Sequence, residues 1–227
     1  MSKKSKRYKE AKSKIAFDRA YSLEEALKIL RDTSNVKFDA SVEVHMKLGI
    51  DPQKGDQVVR STVVLPHGTG KTKKIAVFVT PAKEKEAKAA GADLVGGLDL
   101  INRIKKDGKC EFEVAVAEPS IMKDLAVIAK TLGTKGLMPN PKTGTVTSDI
   151  KKAIEELKKG KTAFKNDDSA NVHLMVGKLS FTDEQLKENI STFVNTVKGL
   201  KPEGSKGTFI KSITICSTMG PGIKISN

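Results

Sequence analysis

Three short segments carry side chains suited to hydrogen-bonding a partner. Ser41, Glu43, His45 and Lys47 alternate with Val42, Val44, Met46 and Leu48; Asn171, His173 and Met175 alternate with Val172, Leu174 and Val176; Ser212, Thr214, Cys216 and Thr218 alternate with Ile213 and Ile215. A period of two sends one set to each face of a strand, so each segment is expected to be a half-buried strand with a polar face. Such a face is either ordinary wet surface or a site. Small hydroxyls, amides and imidazoles can hydrogen-bond sugar 2′-hydroxyls and base edges, which long salt-screened lysines cannot discriminate. Lys37-Phe38 adds a cation and a ring just before the first strand. Ser217-Thr218-Met219-Gly220-Pro221-Gly222 ends the last strand in a tight turn. Gly220 lacks a side chain there, so a nucleic-acid backbone could approach.

Other chemistries are poorly supplied. Gly68-Thr69-Gly70-Lys71-Thr72 looks like the end of a phosphate loop, but the motif needs a glycine five positions before Gly70, and Leu65 stands there. No dinucleotide-binding glycine fingerprint follows a strand. By sequence spacing the three histidines form no metal site, and neither His45 nor His173 has a second ligand nearby. Cys110 and Cys216 are isolated, without metal-ligand spacing, as in a reducing, cytosolic protein. No Ser-His-Asp arrangement is visible, so the chain reads as no enzyme. With two tyrosines, eight phenylalanines and no tryptophan, a base-stacking platform is poorly provisioned. Folded RNA read by shape and backbone fits better.

Charge points the same way. Of 227 residues, 41 are Lys or Arg and 27 Asp or Glu, a formal net charge of +14. Such a field attracts polyanions. Lys3, Lys4, Lys6, Arg7, Lys9, Lys12 and Lys14 crowd the first fourteen residues, either as a solvated tail or as an arm on phosphates. No apolar run reaches membrane-span length, and the N-terminal segment lacks the apolar stretch of a signal peptide. Asn189-Ile190-Ser191 matches a glycosylation acceptor by chance.

The elements that must position these residues follow two grammars. Ser22-Leu23-Glu24-Glu25 is a capping box opening a short amphipathic helix to about Arg31. After the strand from Ser41, a turn at residues 51–56 leads to a returning strand, Val58 to Leu65. Then Ile75-Ala76-Val77-Phe78-Val79 is apolar throughout, as is most of Phe112 to Ala117, the pattern of strands covered on both faces. Helical segments alternate with them: one capped by Thr80-Pro81, one over Leu98–Lys106, one ending at Gly133, and one opened by Ser148. After Gly160 half-buried strands return, with a second capping box at Thr182-Asp183-Glu184-Gln185 before a long helix. The fold class is therefore α/β with two domains: an α+β split domain, 1–66 and 160–227, and a Rossmann-like domain, 67–159, inserted into it. The crossings at Pro66-His67-Gly68 and near Gly160 are candidate hinges.

Specific motifs lie along this frame: Lys37-Phe38-Asp39, Val42-Glu43-Val44-His45, Leu48-Gly49-Ile50-Asp51-Pro52, Leu65-Pro66-His67-Gly68-Thr69-Gly70-Lys71, Gly91-Ala92-Asp93, Val95-Gly96-Gly97, Gly136-Leu137-Met138-Pro139-Asn140-Pro141-Lys142, Gly144-Thr145-Val146 and Ser217-Thr218-Met219-Gly220-Pro221. With them the chain closely resembles, over nearly its whole length, the bacterial large-subunit ribosomal protein L-one family. It departs at Thr134-Lys135, where that family often has Pro-Arg. The resemblance implies a structural constituent of the large subunit with no cofactor, cytoplasmic and monomeric off the ribosome. Its main RNA site would lie on the split domain, binding large-subunit rRNA as a mobile stalk near the tRNA exit site. It would assist release of deacylated tRNA and repress translation of its own operon mRNA. By position, the RNA contacts it implies are Lys37, Phe38, Ser41, Glu43, Lys165, His173, Ser212, Thr218, Met219 and Gly220.

Overall fold

The computed structural model describes residues 5–16, 19–205 and 207–226. In chain order the elements are α1 (Lys6–Ser13), α2 (Leu23–Thr33), β1 (Ser41–Leu48), β2 (Arg60–Val64), β3 (Ile75–Phe78), α3 (Glu84–Ala89), β4 (Leu94–Gly96), α4 (Leu98–Asp107), β5 (Val114–Ala117), α5 (Met122–Leu125), α6 (Ala129–Thr134), α7 (Ile150–Lys158), β6 (Lys161–Lys165), β7 (Asn171–Lys178), α8 (Asp183–Lys198), β8 (Ile210–Ser217) and β9 (Ile223–Ile225). They pack as two units: Met1–Gly70 with Thr162–Asn227, and Lys71–Lys161.

The first unit centres on an antiparallel sheet in the order β7-β1-β8-β9. Along β1 burial alternates strictly, as its residue pattern requires. The buried set, Val42, Val44, Met46 and Leu48, joins Leu174, Val176, Ile213 and Ile215. Helices α2 and α8 cover that face with Leu27, Leu30, Leu186, Ile190 and Phe193. Both helices start at true capping boxes, Ser22 with Glu25 and Thr182 with Gln185. Arg31 ties α2 to the start of α8. Its guanidinium donates to Asp183 Oδ1 (2.7 Å) and to the carbonyls of Leu179 (2.8 Å) and Phe181 (2.6 Å).

Asn189, fully buried on α8, accepts from His67 N and donates to the carbonyls of Gly68 and Val176. Its amide is spent inside the protein, so the apparent glycosylation sequence has no accessible acceptor. Gly49 is required by close approach: a Cβ there would sit 2.2 Å from the Thr208 carbonyl oxygen.

Two expectations change here. The strand after the first turn does not return along β1; β2 pairs with β6 in a separate two-stranded sheet. Both edges of β1 are already taken by β7 and β8, strands from far along the sequence. The basic N-terminal segment is not simply a tail. Residues 6–13 form α1, capped by Ser5, with Ala11 buried. Lys3 and Lys4 lie outside the described residues.

The second unit is a parallel sheet, β4-β3-β5. Every residue of β3 is buried, because helices cover both faces. Ala76 and Phe78 pack with Ile101, Ile104 and Leu125, whereas Ile75 and Val77 pack with Ala87, Ile150 and Ile154. Successive residues therefore serve two different cores. Thr80 stands at the expected cap position with Pro81 opening the turn, but its side chain makes no capping bond and instead donates to Glu118 Oε2 (3.0 Å). The helix expected at Ser148 begins one residue later, with Asp149 as its cap.

Candidate nucleic-acid interface

The register of the four-stranded sheet sets the polar residues in rows. Met175, Glu43 and Cys216 form one row, His173, His45 and Thr214 the next, and Asn171, Lys47 and Ser212 a third. Glu43 and Ser212 are partly exposed and His173 is exposed. Irregularities in pairing between Val42/Glu43 and Lys47/Leu48 bracket these rows. Such bulges sharpen local twist and re-aim side chains.

The Ser217–Gly222 stretch closes one end. Gly220 N donates to Ser217 O (2.8 Å), making a turn with Thr218 and Met219 at its centre. Met219 sits at φ +67° and is 67% exposed. A bulky residue held in the left-handed region and offered to water stores strain at an exposed position. Gly220 is required from inside the turn, since a Cβ there would meet Ser217 Oγ at 2.3 Å. Its bare side thus serves the turn's own packing.

Thr218 joins the turn to β1. Its N donates to Ser41 O (2.9 Å), its Oγ1 accepts from Ser41 N (3.1 Å), and its hydroxyl donates back to Ser41 O (3.3 Å). A hydroxyl has one proton and two lone pairs. One lone pair is left, so Thr218 can offer an outside partner only an acceptor.

Lys37 and Phe38 are exposed just before β1, Phe38 at 54%. Asp39 anchors them by accepting from Ser180 N (3.1 Å) and Oγ (2.9 Å). Lys165 is exposed on β6, in the separate two-stranded sheet. It does not belong to the rows. It precedes the Asn166–Asp167 turn that fixes Asn171 and His173. Asp167 accepts from the backbone of Asn171 (2.7 Å) and Ser169 (2.9 Å) and lies 3.5 Å from His173 Nε2. The Asn171 backbone and amide, then Ser169 and His173, hold its carboxyl down at about 2.

Sequence spacing passed over a second group. His45 Nδ1 and His173 Nδ1 are 2.7 Å apart, and His45 Nε2 lies 3.1 Å from Cys216 Sγ and 3.8 Å from Glu43 Oε2. His45 and His173 lie 128 residues apart in sequence and are direct partners in the β1–β7 register. Burial pushes the His45 imidazole below its usual value, with His173 adding to this and Glu43 opposing it. Burial, then the nearby Glu43 carboxylate, raises the Cys216 thiol to about 11. Only the strand period hinted at the cluster, by placing each member on a polar face.

The parallel unit offers little comparable surface. Open α/β sheets bind ligands beyond the carboxyl ends of their strands. Here that edge is filled by Glu118, which accepts from Thr80 N (3.2 Å) and Thr80 Oγ1 and pairs with Lys83 (3.1 Å). A cleft of about 340 Å³ lies toward the opposite ends of the strands, lined by Leu94, Arg103, Asp107 and Phe112.

Residues 30–221 match the Ribosomal protein L1p/L10e family. The chain is similar to the large ribosomal subunit protein uL1 of Mesoplasma florum, with 53% identity over 225 residues and 99% of each chain covered. Proteins of the same name from Mycoplasma capricolum and Mycoplasma mycoides are each 50% identical, again over 99% of both chains.

Proposed function

The chain belongs to the ribosomal protein L1p/L10e family, a family of structural ribosomal proteins and not of enzymes, and on that premise we propose that its polar sheet face binds large-subunit rRNA. The observation that carries the reading is the set of rows on β7-β1-β8, closed at one end by Thr218 bonded to Ser41. Ser212 offers a donor and acceptors that suit ribose hydroxyls and base edges, while the exposed His173 ring, whose two nitrogens face His45 and Asp167, offers its face and carbon edge. Glu43 and the free lone pair of Thr218 can only accept, so they would meet a 2′-hydroxyl or a base amine. Met219 and Phe38 present apolar surface to the sugar-phosphate flank, and Gly220 keeps the turn tight beneath Met219. Lys37 and Lys165 supply phosphate contacts, which position the RNA without reading it.

In this reading the unit built from the two ends of the chain carries the main RNA site. The chain forms the mobile stalk beside the tRNA exit site and assists release of deacylated tRNA. The same face accepts a similar fold on the protein's own operon mRNA, repressing its translation. Off the ribosome the chain is a monomer. The motif resemblance and family membership support these roles.

Filter binding at fixed salt tests the core of the reading, with an rRNA fragment and a DNA hairpin of matched sequence. The RNA is expected to bind more than tenfold tighter, and equal affinity would overturn it. A form in which a short glycine linker replaces residues 67–159 is expected to keep most of that affinity. Loss of binding by this form, once shown to be folded, would contradict the assignment to the split unit.

A further inference from the structure

Glu43, His45 and Cys216 place a carboxylate, an imidazole and a thiol within 4.8 Å of one another. We propose that these three side chains form a binding site for a divalent transition-metal ion of the zinc class, with His173 and Asp167 orienting the imidazole from behind.

One arrangement of the hydrogen bonds aims a lone pair of His45 at the other two donors. Asp167 accepts two backbone N–H bonds and is an ionised acceptor, so the His173 nitrogen facing it, Nε2, carries the proton. The other nitrogen of a neutral His173, Nδ1, is then an acceptor. In that arrangement His45 Nδ1, 2.7 Å away, donates to it. That leaves the lone pair of His45 Nε2 directed at Cys216 and Glu43. Metal-binding histidines usually donate their far N–H to a neighbouring acceptor, which sets tautomer and ring orientation. Here the acceptor is a second histidine backed by a carboxylate.

The spacing fits the ion. Zn–N and Zn–O bonds near 2.0–2.2 Å and a Zn–S bond near 2.3 Å imply donors about 3.3–3.6 Å apart in a tetrahedron. His45 Nε2 lies 3.1 Å from Cys216 Sγ and 3.8 Å from Glu43 Oε2. All three donors lie within 4.8 Å of one another, so the Glu43 and Cys216 side chains must turn toward the ion to close the set around it. A mixed sulfur, nitrogen and oxygen set suits zinc better than magnesium or calcium, which prefer oxygen alone. Three protein ligands leave the fourth position to water, so this is an open site and not a closed structural one. Without metal, Cys216 shares its S–H with His45 Nε2. On binding, sulfur coordinates as thiolate and its proton leaves to solvent. Two nearby lysines are engaged elsewhere: Lys47 bonds the Ser169 carbonyl, and Lys178 pairs with Asp39.

The test uses the full chain, thiols kept reduced and free of nucleic acid, titrated with Co²⁺ alone in absorption and Zn²⁺ alone in calorimetry. One equivalent of Co²⁺ is expected to produce a thiolate-to-metal charge-transfer band, and Zn²⁺ should displace it. C216S should abolish the band and weaken Zn²⁺ binding more than tenfold, E43Q should weaken it, and C110S should change nothing. H173A should keep the band while costing roughly 10–100-fold in affinity. No band at one equivalent, a band that survives C216S, or one that is lost in C110S would overturn the site. None of these readouts depends on whether the protein binds RNA.

Discussion

The four-stranded antiparallel sheet and the three-stranded parallel sheet use similar apolar residues and meet water in opposite ways. In β1 every second side chain is buried; in β3 all four are. Helices cover one face of the antiparallel sheet and both faces of the parallel one. One-sided burial frees a whole row of side chains for other work, while two-sided burial commits every position to packing. The parallel unit is left with its strand ends, and one of those is closed by Glu118, Thr80 and Lys83. Stability and recognition should therefore separate by sheet, and substitutions can break that separation.

The largest effect is expected from F78A. Phe78 is fully buried against Phe112, with ring centres 6.0 Å apart. Its loss should cost about 3–5 kcal/mol in the unfolding of residues 71–161. RNA affinity of the folded fraction should stay unchanged in filter binding; a parallel loss would break the comparison. Next is T218V, which removes both side-chain bonds to Ser41. Urea denaturation should show a loss of about 1–3 kcal/mol. RNA affinity should fall with it, because this residue belongs to both the fold and the face. M219G should separate the two. Relieving a non-glycine residue at φ +67° should stabilise the first unit by about 1 kcal/mol, while the lost apolar contact weakens RNA binding. Stabilisation with unchanged affinity would remove Met219 from the interface. Smallest in stability is S212A, within about 0.5 kcal/mol. It should still weaken RNA binding about fivefold, equivalent to about 1 kcal/mol.

Local physics was legible in the sequence. Both capping boxes formed, because Ser22 with Glu25 and Thr182 with Gln185 need only three residues of spacing. The polar faces of β1, β7 and β8 followed from their period of two. What could not be read was pairing between distant segments. Nothing in β2 says that it pairs with β6 when both edges of β1 are filled. His45, His173 and Cys216 meet only through strand register, so spacing along the chain hid the cluster. The Thr218 hydroxyl looked free and is mostly spent on Ser41, a residue 177 positions away. Gly220 looked like an opening, and its bare side faces Ser217.

The sheet order has a consequence for synthesis. Strand β1 lies between β7 and β8, and Tyr21 N donates to the carbonyl of Lys224. At roughly 5–20 residues per second, β1 waits on the order of ten seconds for the partner on its second edge. Both of its hydrogen-bonding edges are open until β7 emerges and one stays open until β8 does, a hazard for misassociation. Residues 71–161 form their contacts within one continuous stretch and can fold as they emerge. The polar face is assembled only when β8 arrives, so an interrupted translation product leaves the ribosome without it.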